Sequence, residues 1–172
     1  GNLDPLNAEE EPELDDYPSP EDFPNFSKNF GPRGVIHSWA NEDGTQRIED
    51  TGPLTKKRME TVDGEFVEAA SVFVRDKVAE DKPFFLYLAF NAVHTPQQAP
   101  EKYLERFKGE SDEKRKLMLA MLSALDDAVW QVTAMLNEKG VADDTLVCFI
   151  SDNGGPTTGN GSRNTPLRGF KG

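Results

Sequence analysis

One cysteine, Cys148, stands in 172 residues. A single thiol excludes a disulfide framework and any zinc site built on four thiolates. The two histidines, His37 and His94, are too far apart in sequence to suggest a local histidine pair for zinc. Long apolar runs are missing as well. The longest, Phe84 to Phe90, has seven residues, where a membrane-crossing helix needs about twenty; no membrane span is expected. Positive charge is short, with 19 Lys and Arg against 31 Asp and Glu and a net charge of -12. That balance excludes a protein built to neutralise nucleic-acid phosphates. No G-x-G-x-x-G follows an apolar run, and the frame from Gly154 to Gly159 has Asn160 where a phosphate loop requires lysine. A starting Met, a basic leader and an apolar leader core are also lacking. The chain is therefore expected to be an internal piece of a longer protein, and the missing targeting signals carry no information.

What is present is unevenly distributed. Residues 1 to 27 hold nine acids and no Lys or Arg, and seven of the twelve prolines fall in the first 60 residues. Residues 1–60 are accordingly expected to form an acidic, Pro-rich irregular segment without a long helix or central strand. Its apolar islands, Phe23, Phe26, Phe30, Val35-Ile36 and Trp39, suit a segment laid over a neighbouring surface, and His37 reads as structural.

From Thr61 the pattern turns helical: Phe66, Ala70, Phe73 and Val78 share a face through about Glu80, with Asp63 as N-cap. Lys82-Pro83 ends it, and the unalternating run Phe84 to Phe90 predicts a strand buried on both faces. Pro100 opens a short helix ending near Gly109. Leu117, Met121, Ala124, Ala128, Val132 and Met135 mark a long helix closed by Gly140. Thr145 to Ile150 predicts a second buried strand, with Cys148 an inert thiol inside it. Helix, strand, helices, strand is the order of an α/β unit over residues 61–172, with a parallel sheet and a right-handed crossover.

Ligands collect beyond the carboxyl ends of strands in open α/β sheets. His94 follows the first predicted strand by four residues, and Asp152-Asn153 follow the second by two. Parallel pairing would bring all three to one edge. Asp152 and Asn153 offer hard oxygen donors suited to Ca²⁺ or Mg²⁺; Asp-Asn-Gly is equally the composition of a strand-ending turn. His94 is a loop histidine that can hydrogen-bond backbone or titrate near neutral pH. Lys171 lies among glycines that allow an anion to approach closely. Asp126-Asp127 read as helix surface or helix-to-loop bonding, because consecutive helical residues point in different directions.

Four segments in order resemble the sulfatase family: Lys82 to Asn91 followed by His94-Thr95-Pro96, Ser123-Ala124-Leu125-Asp126-Asp127, Ser151-Asp152-Asn153-Gly154-Gly155, and Asn164-Thr165-Pro166-Leu167-Arg168-Gly169-Phe170-Lys171-Gly172. The likeness runs from about Leu54 to the end, and Leu6 to Glu13 resembles a further arylsulfatase loop. It implies an alkaline phosphatase-like sandwich with a largely parallel central sheet flanked by helices. It also implies hydrolysis of a sulfated small molecule or glycan to alcohol and inorganic sulfate, in the periplasm or secreted. By position, Asp152 and Asn153 match two Ca²⁺ ligands, His94 a histidine at the leaving-group oxygen, and Lys171 a sulfate-binding lysine. The family nucleophile, formylglycine made from C/S-x-P-x-R, has no counterpart here and is expected upstream. Trp130 and Phe170 stand where the family commonly has glycine. A phosphate or phosphonate esterase of the same superfamily, or a truncated non-catalytic homologue, is the alternative.

Overall fold

The computed structural model describes residues 35–52, 54–94, 97–157 and 159–171. They belong to two units divided between Met59 and Glu60.

Within the first unit, the described residues from 35 on include a hairpin inside the stretch expected to be irregular. Ile36–Ala40 (β1) pairs antiparallel with Gln46–Asp50 (β2), with Ser38 opposite Ile48 and Trp39 opposite Arg47. The turn chemistry explains the hairpin. The N–H of Asn41 donates to Thr45 O at 2.9 Å, the Asp43 carboxylate accepts from both the backbone and the hydroxyl of Thr45, and Gly44 takes φ +80. Arg47 lies 3.9 Å from the Trp39 ring centre, and His37 meets that ring edge-on. A single helical turn, Lys56–Met59 (α1), follows. Its Arg58 donates to Thr51 O and Gly52 O, both at 3.0 Å. Residues 1–34, including the islands Phe23, Phe26 and Phe30, lie outside the described residues.

The second unit is helical. Val62–Ala79 (α2) and Glu113–Glu138 (α4) pack along one face, where Val74, Met135 and Leu136 are buried with Phe73, Val78, Phe84 and Leu86 against them. Between them Glu101–Leu104 (α3), with Pro100 at its N-cap, runs into a 3₁₀ turn at Glu105–Phe107. Here Tyr103 and Ala99 pack on Ala120 and Met121 of α4. Asp112 caps α4 by accepting from the N–H of Lys114 and Arg115. Gly140 closes it at φ +69, with the N–H of Val141 donating to Leu136 O. By length and composition alone α4 could cross a membrane, and one side of it packs on α2 and α3. Trp130 stands exposed on its outer side, so it does not disturb that packing.

Asp63 is not the N-cap of α2. It lies in the first turn, and its carboxylate accepts from the N–H of Asn91 at 2.8 Å and of Ala92 at 2.9 Å.

Neither predicted buried strand joins a ladder among the described residues, where β1–β2 is the one sheet. In the first, Phe84 and Leu86 face the helices while Phe85 and Tyr87 are 86% and 78% exposed. In the second, Leu146 and Ile150 are 90% and 82% exposed, and Cys148 is exposed instead of buried. The reason is physical: a strand buried on both faces and paired on both edges needs neighbours, and these residues supply helices to one face only. The parallel sheet expected of this α/β unit is thus not formed within the described residues.

Candidate active site

The segment Phe84 to Phe90 delivers a tight turn whose N–H groups are held by Asp63 at the start of α2. Within it the N–H of His94 donates to Asn91 O at 2.8 Å. His94 thus leaves a turn anchored to a helix end, and its ring is exposed. Lys171, 77 residues later, places Nζ 3.0 Å from His94 Nε2. Lys171 as an ammonium donates in this contact, with Nε2 the acceptor.

Asp152 and Asn153 form an exposed turn directly after the second predicted strand. Asp152 Oδ1 accepts from the N–H of Asn153 at 2.8 Å, and the Ser151 hydroxyl donates to Asn153 O. Asn153 Nδ2 donates to Gly154 O at 2.9 Å. One carboxylate and one amide oxygen suit a hard cation in kind, but Ca²⁺ takes six to eight oxygens. Among the described residues no group of three or more His, Cys, Asp or Glu is placed to hold a metal ion. The pair is a partial donor set.

The loop after this turn folds back onto α4. Arg115 Nη1 donates to Gly161 O at 2.9 Å and Gln97 Nε2 to Asn160 O at 3.3 Å, with Asn160 and Ser162 buried. The chain then reaches Asn164. Its Oδ1 accepts from the N–H of Gly155, and its Nδ2 donates to Gly155 O and to Gly169 O. The structure therefore brings His94 and Lys171 into direct contact and ties the Asp152–Asn153 turn to the Lys171 loop through Asn164. Asp63 and Asn164 carry these connections, and neither stands out in the sequence. Asp63 looks like a helix cap, and Asn164 lies inside a recognisable segment with no spacing that reveals its partners.

A sulfatase family model matches residues 15–172. Mouse arylsulfatase J is 46% identical over 91 residues, which are 53% of this chain and 15% of that protein. The uncharacterized sulfatase YdeN of Escherichia coli K12 is 35% identical over 106 residues, 60% of this chain and 19% of its own length. Among solved structures, Ps i-CgsB in complex with k-i-k-neocarrahexaose superposes with a TM-score of 0.64 at 30% identity, over 93% of this chain and 33% of that one. The chain spans less than a fifth of these curated relatives and about a third of that solved structure.

Proposed function

Because the chain belongs to the sulfatase family, we propose that the full-length protein hydrolyses a sulfate ester to an alcohol and inorganic sulfate, and that Asp152, Asn153, His94 and Lys171 are this chain's share of the site. The observation that carries the reading is the 3.0 Å approach of Lys171 Nζ to His94 Nε2 across 77 residues of sequence. It joins an anion-binding cation to a group able to carry a proton.

Asp152 and Asn153 would hold a Ca²⁺ ion together with oxygens from outside these residues. That ion would neutralise charge on the sulfate oxygens, as preorganised electrostatics do at other acyl and phosphoryl centres. The nucleophile, expected as a formylglycine, belongs to a segment outside this chain. The residues here bind and orient. Lys171 donates to the sulfate oxygens and in doing so gives up its contact with His94 Nε2. With Lys171 withdrawn, His94 Nε2 takes a proton from solvent and delivers it to the ester oxygen as the S–O bond breaks and the bonding pair leaves with that oxygen. The substrate is a sulfated small molecule or a glycan, a choice supported by the oligosaccharide bound to Ps i-CgsB. The family likeness also supports work in the periplasm or outside the cell.

The test is hydrolysis of aryl sulfate and aryl phosphate by the full-length protein, with Ca²⁺ and after chelation. Sulfate cleavage that needs Ca²⁺ is expected. For His94→Ala the expected loss is about 10²–10⁴ in rate, smaller for a nitrophenyl leaving group, which needs little protonation. Preferred cleavage of the phosphate would favour the phosphoesterase reading. Equal losses for good and poor leaving groups would remove the acid role from His94.

A further inference from the structure

One side chain joins the two loops on which the proposed site depends. Asn164 Oδ1 accepts from the N–H of Gly155 at 3.0 Å while its Nδ2 donates back to Gly155 O at 2.9 Å. The second Nδ2 hydrogen reaches Gly169 O at 3.0 Å. This pattern fixes the amide's orientation, since a flipped amide would set its nitrogen against an N–H and its oxygen against two carbonyls. Backbone and side chain approach without a gap. A Cβ on Gly154 would lie 3.2–3.4 Å from the Asn164 amide, and one on Gly155 would overlap the Ser162 side chain. Gly155 follows Asn153 by two residues, and Gly169 precedes Lys171 by two.

We infer that Asn164 is a positioning residue that sets the separation between the Asp152–Asn153 oxygens and the Lys171 ammonium, so that one sulfate group can meet a bound cation and Lys171 together. This rests on the proposed function. Asn164 touches neither ion nor substrate; it acts through the two loops. Groups that orient first ligands in this way are commonly worth about 10–100-fold in metal affinity or activity.

The experiment uses the full-length protein with Asn164→Ala and Asn164→Asp, each checked for folding by its melting curve. Calcium affinity is measured by calorimetry, and inorganic sulfate binding as inhibition of nitrophenyl sulfate hydrolysis. Asn164→Ala should weaken sulfate about 10-fold or more and lower kcat. Asn164→Asp, which keeps the acceptor for the Gly155 N–H but has no hydrogen for either Gly155 O or Gly169 O, should also weaken sulfate. In the double variant with Lys171→Ala, sulfate should bind no more weakly than with Lys171→Ala alone, because the two act in series. Should Asn164→Ala fail to fold, Asn164→Asp decides by the same readings. A lowered melting temperature with unchanged sulfate and calcium affinity, or full additivity with Lys171→Ala, would overturn the inference and leave Asn164 a structural residue. A wild type that neither binds calcium nor is inhibited by sulfate would overturn the function itself.

Discussion

Gly161 shows how tightly single positions are set in the loop that leads to Asn164. Its φ is +73, and a Cβ there would lie 2.8–2.9 Å from backbone atoms of Lys114 and Arg115. Backbone cannot yield as a side-chain tip can, and the loop is further pinned by Arg115 on Gly161 O. Gly161→Ala is expected to cost at least about 1–2 kcal/mol, from the left-handed backbone alone, with the steric overlap added. Gly109, whose Cβ would meet open space without a positive φ, is the control. Its alanine variant should be neutral or slightly stabilising, by up to about 1 kcal/mol. Urea unfolding of the two variants in the full-length protein measures both. Equal stability of the two would show that the loop repacks freely and that its seat on α4 is not fixed.

Between elements, the tie of the 3₁₀ turn at Glu105–Phe107 to α4 is chemical as well as apolar. Arg106 donates to both carboxylate oxygens of Asp127, at 3.2 and 2.8 Å, and to the Ser123 hydroxyl at 2.7 Å. The hydrogen bond from Arg106 holds the Asp127 carboxyl below its usual value. A depressed carboxyl contributes stability that is present above the unfolded value, about 3.9, and lost as pH falls through the lower folded value. Arg106→Ala should therefore shift the carbon-13 NMR titration of Asp127 to higher pH. No movement would mean that the pair does not persist in solution. The same pair shows where sequence reading stops. Asp126-Asp127 read as helix surface or helix-to-loop bonding, but a partner 21 residues away leaves no local mark that would name it. The long helices were legible, since their apolar spacing is set by burying one face. The hairpin was not, as proline and acid content outweighed a short alternation, although Asp43-Gly44-Thr45 carried a turn signal. The runs at Phe84 and Thr145 announce extended backbone, but what pairs with them depends on residues the runs do not contain. For the proposed site, the sequence offers His94, Asp152, Asn153 and Lys171 as residue types in segments. The bonds through Asp63 and Asn164 arise only once the chain is folded.

For the molecule as a whole, the balance between core and exposed apolar surface bears on what this chain can do by itself. Phe85, Tyr87, Leu146, Phe149 and Ile150 are all largely exposed along its two predicted strands. An aromatic side chain alone can bury about 150–250 Å², and folded monomers seldom expose apolar patches beyond a few hundred Å². Backbone that joins no ladder adds open hydrogen-bonding edges that invite association. Turnover, moreover, needs a nucleophile, a full cation cage and anion-binding groups held together, and the described residues offer the oxygens of Asp152 and Asn153, one histidine and one lysine. Residues 1–172 alone are therefore expected to hydrolyse no aryl sulfate above a protein-free control, even with excess Ca²⁺. They should bind a hydrophobic dye and melt without a sharp transition, whereas the full-length protein should exclude the dye and melt cooperatively. Dye fluorescence, a calorimetric scan and the sulfate assay on both proteins measure this. A cooperative melt together with calcium-dependent turnover that Lys171→Ala abolishes would show that these residues form a complete site, and that Phe85 and Ile150 need no further cover.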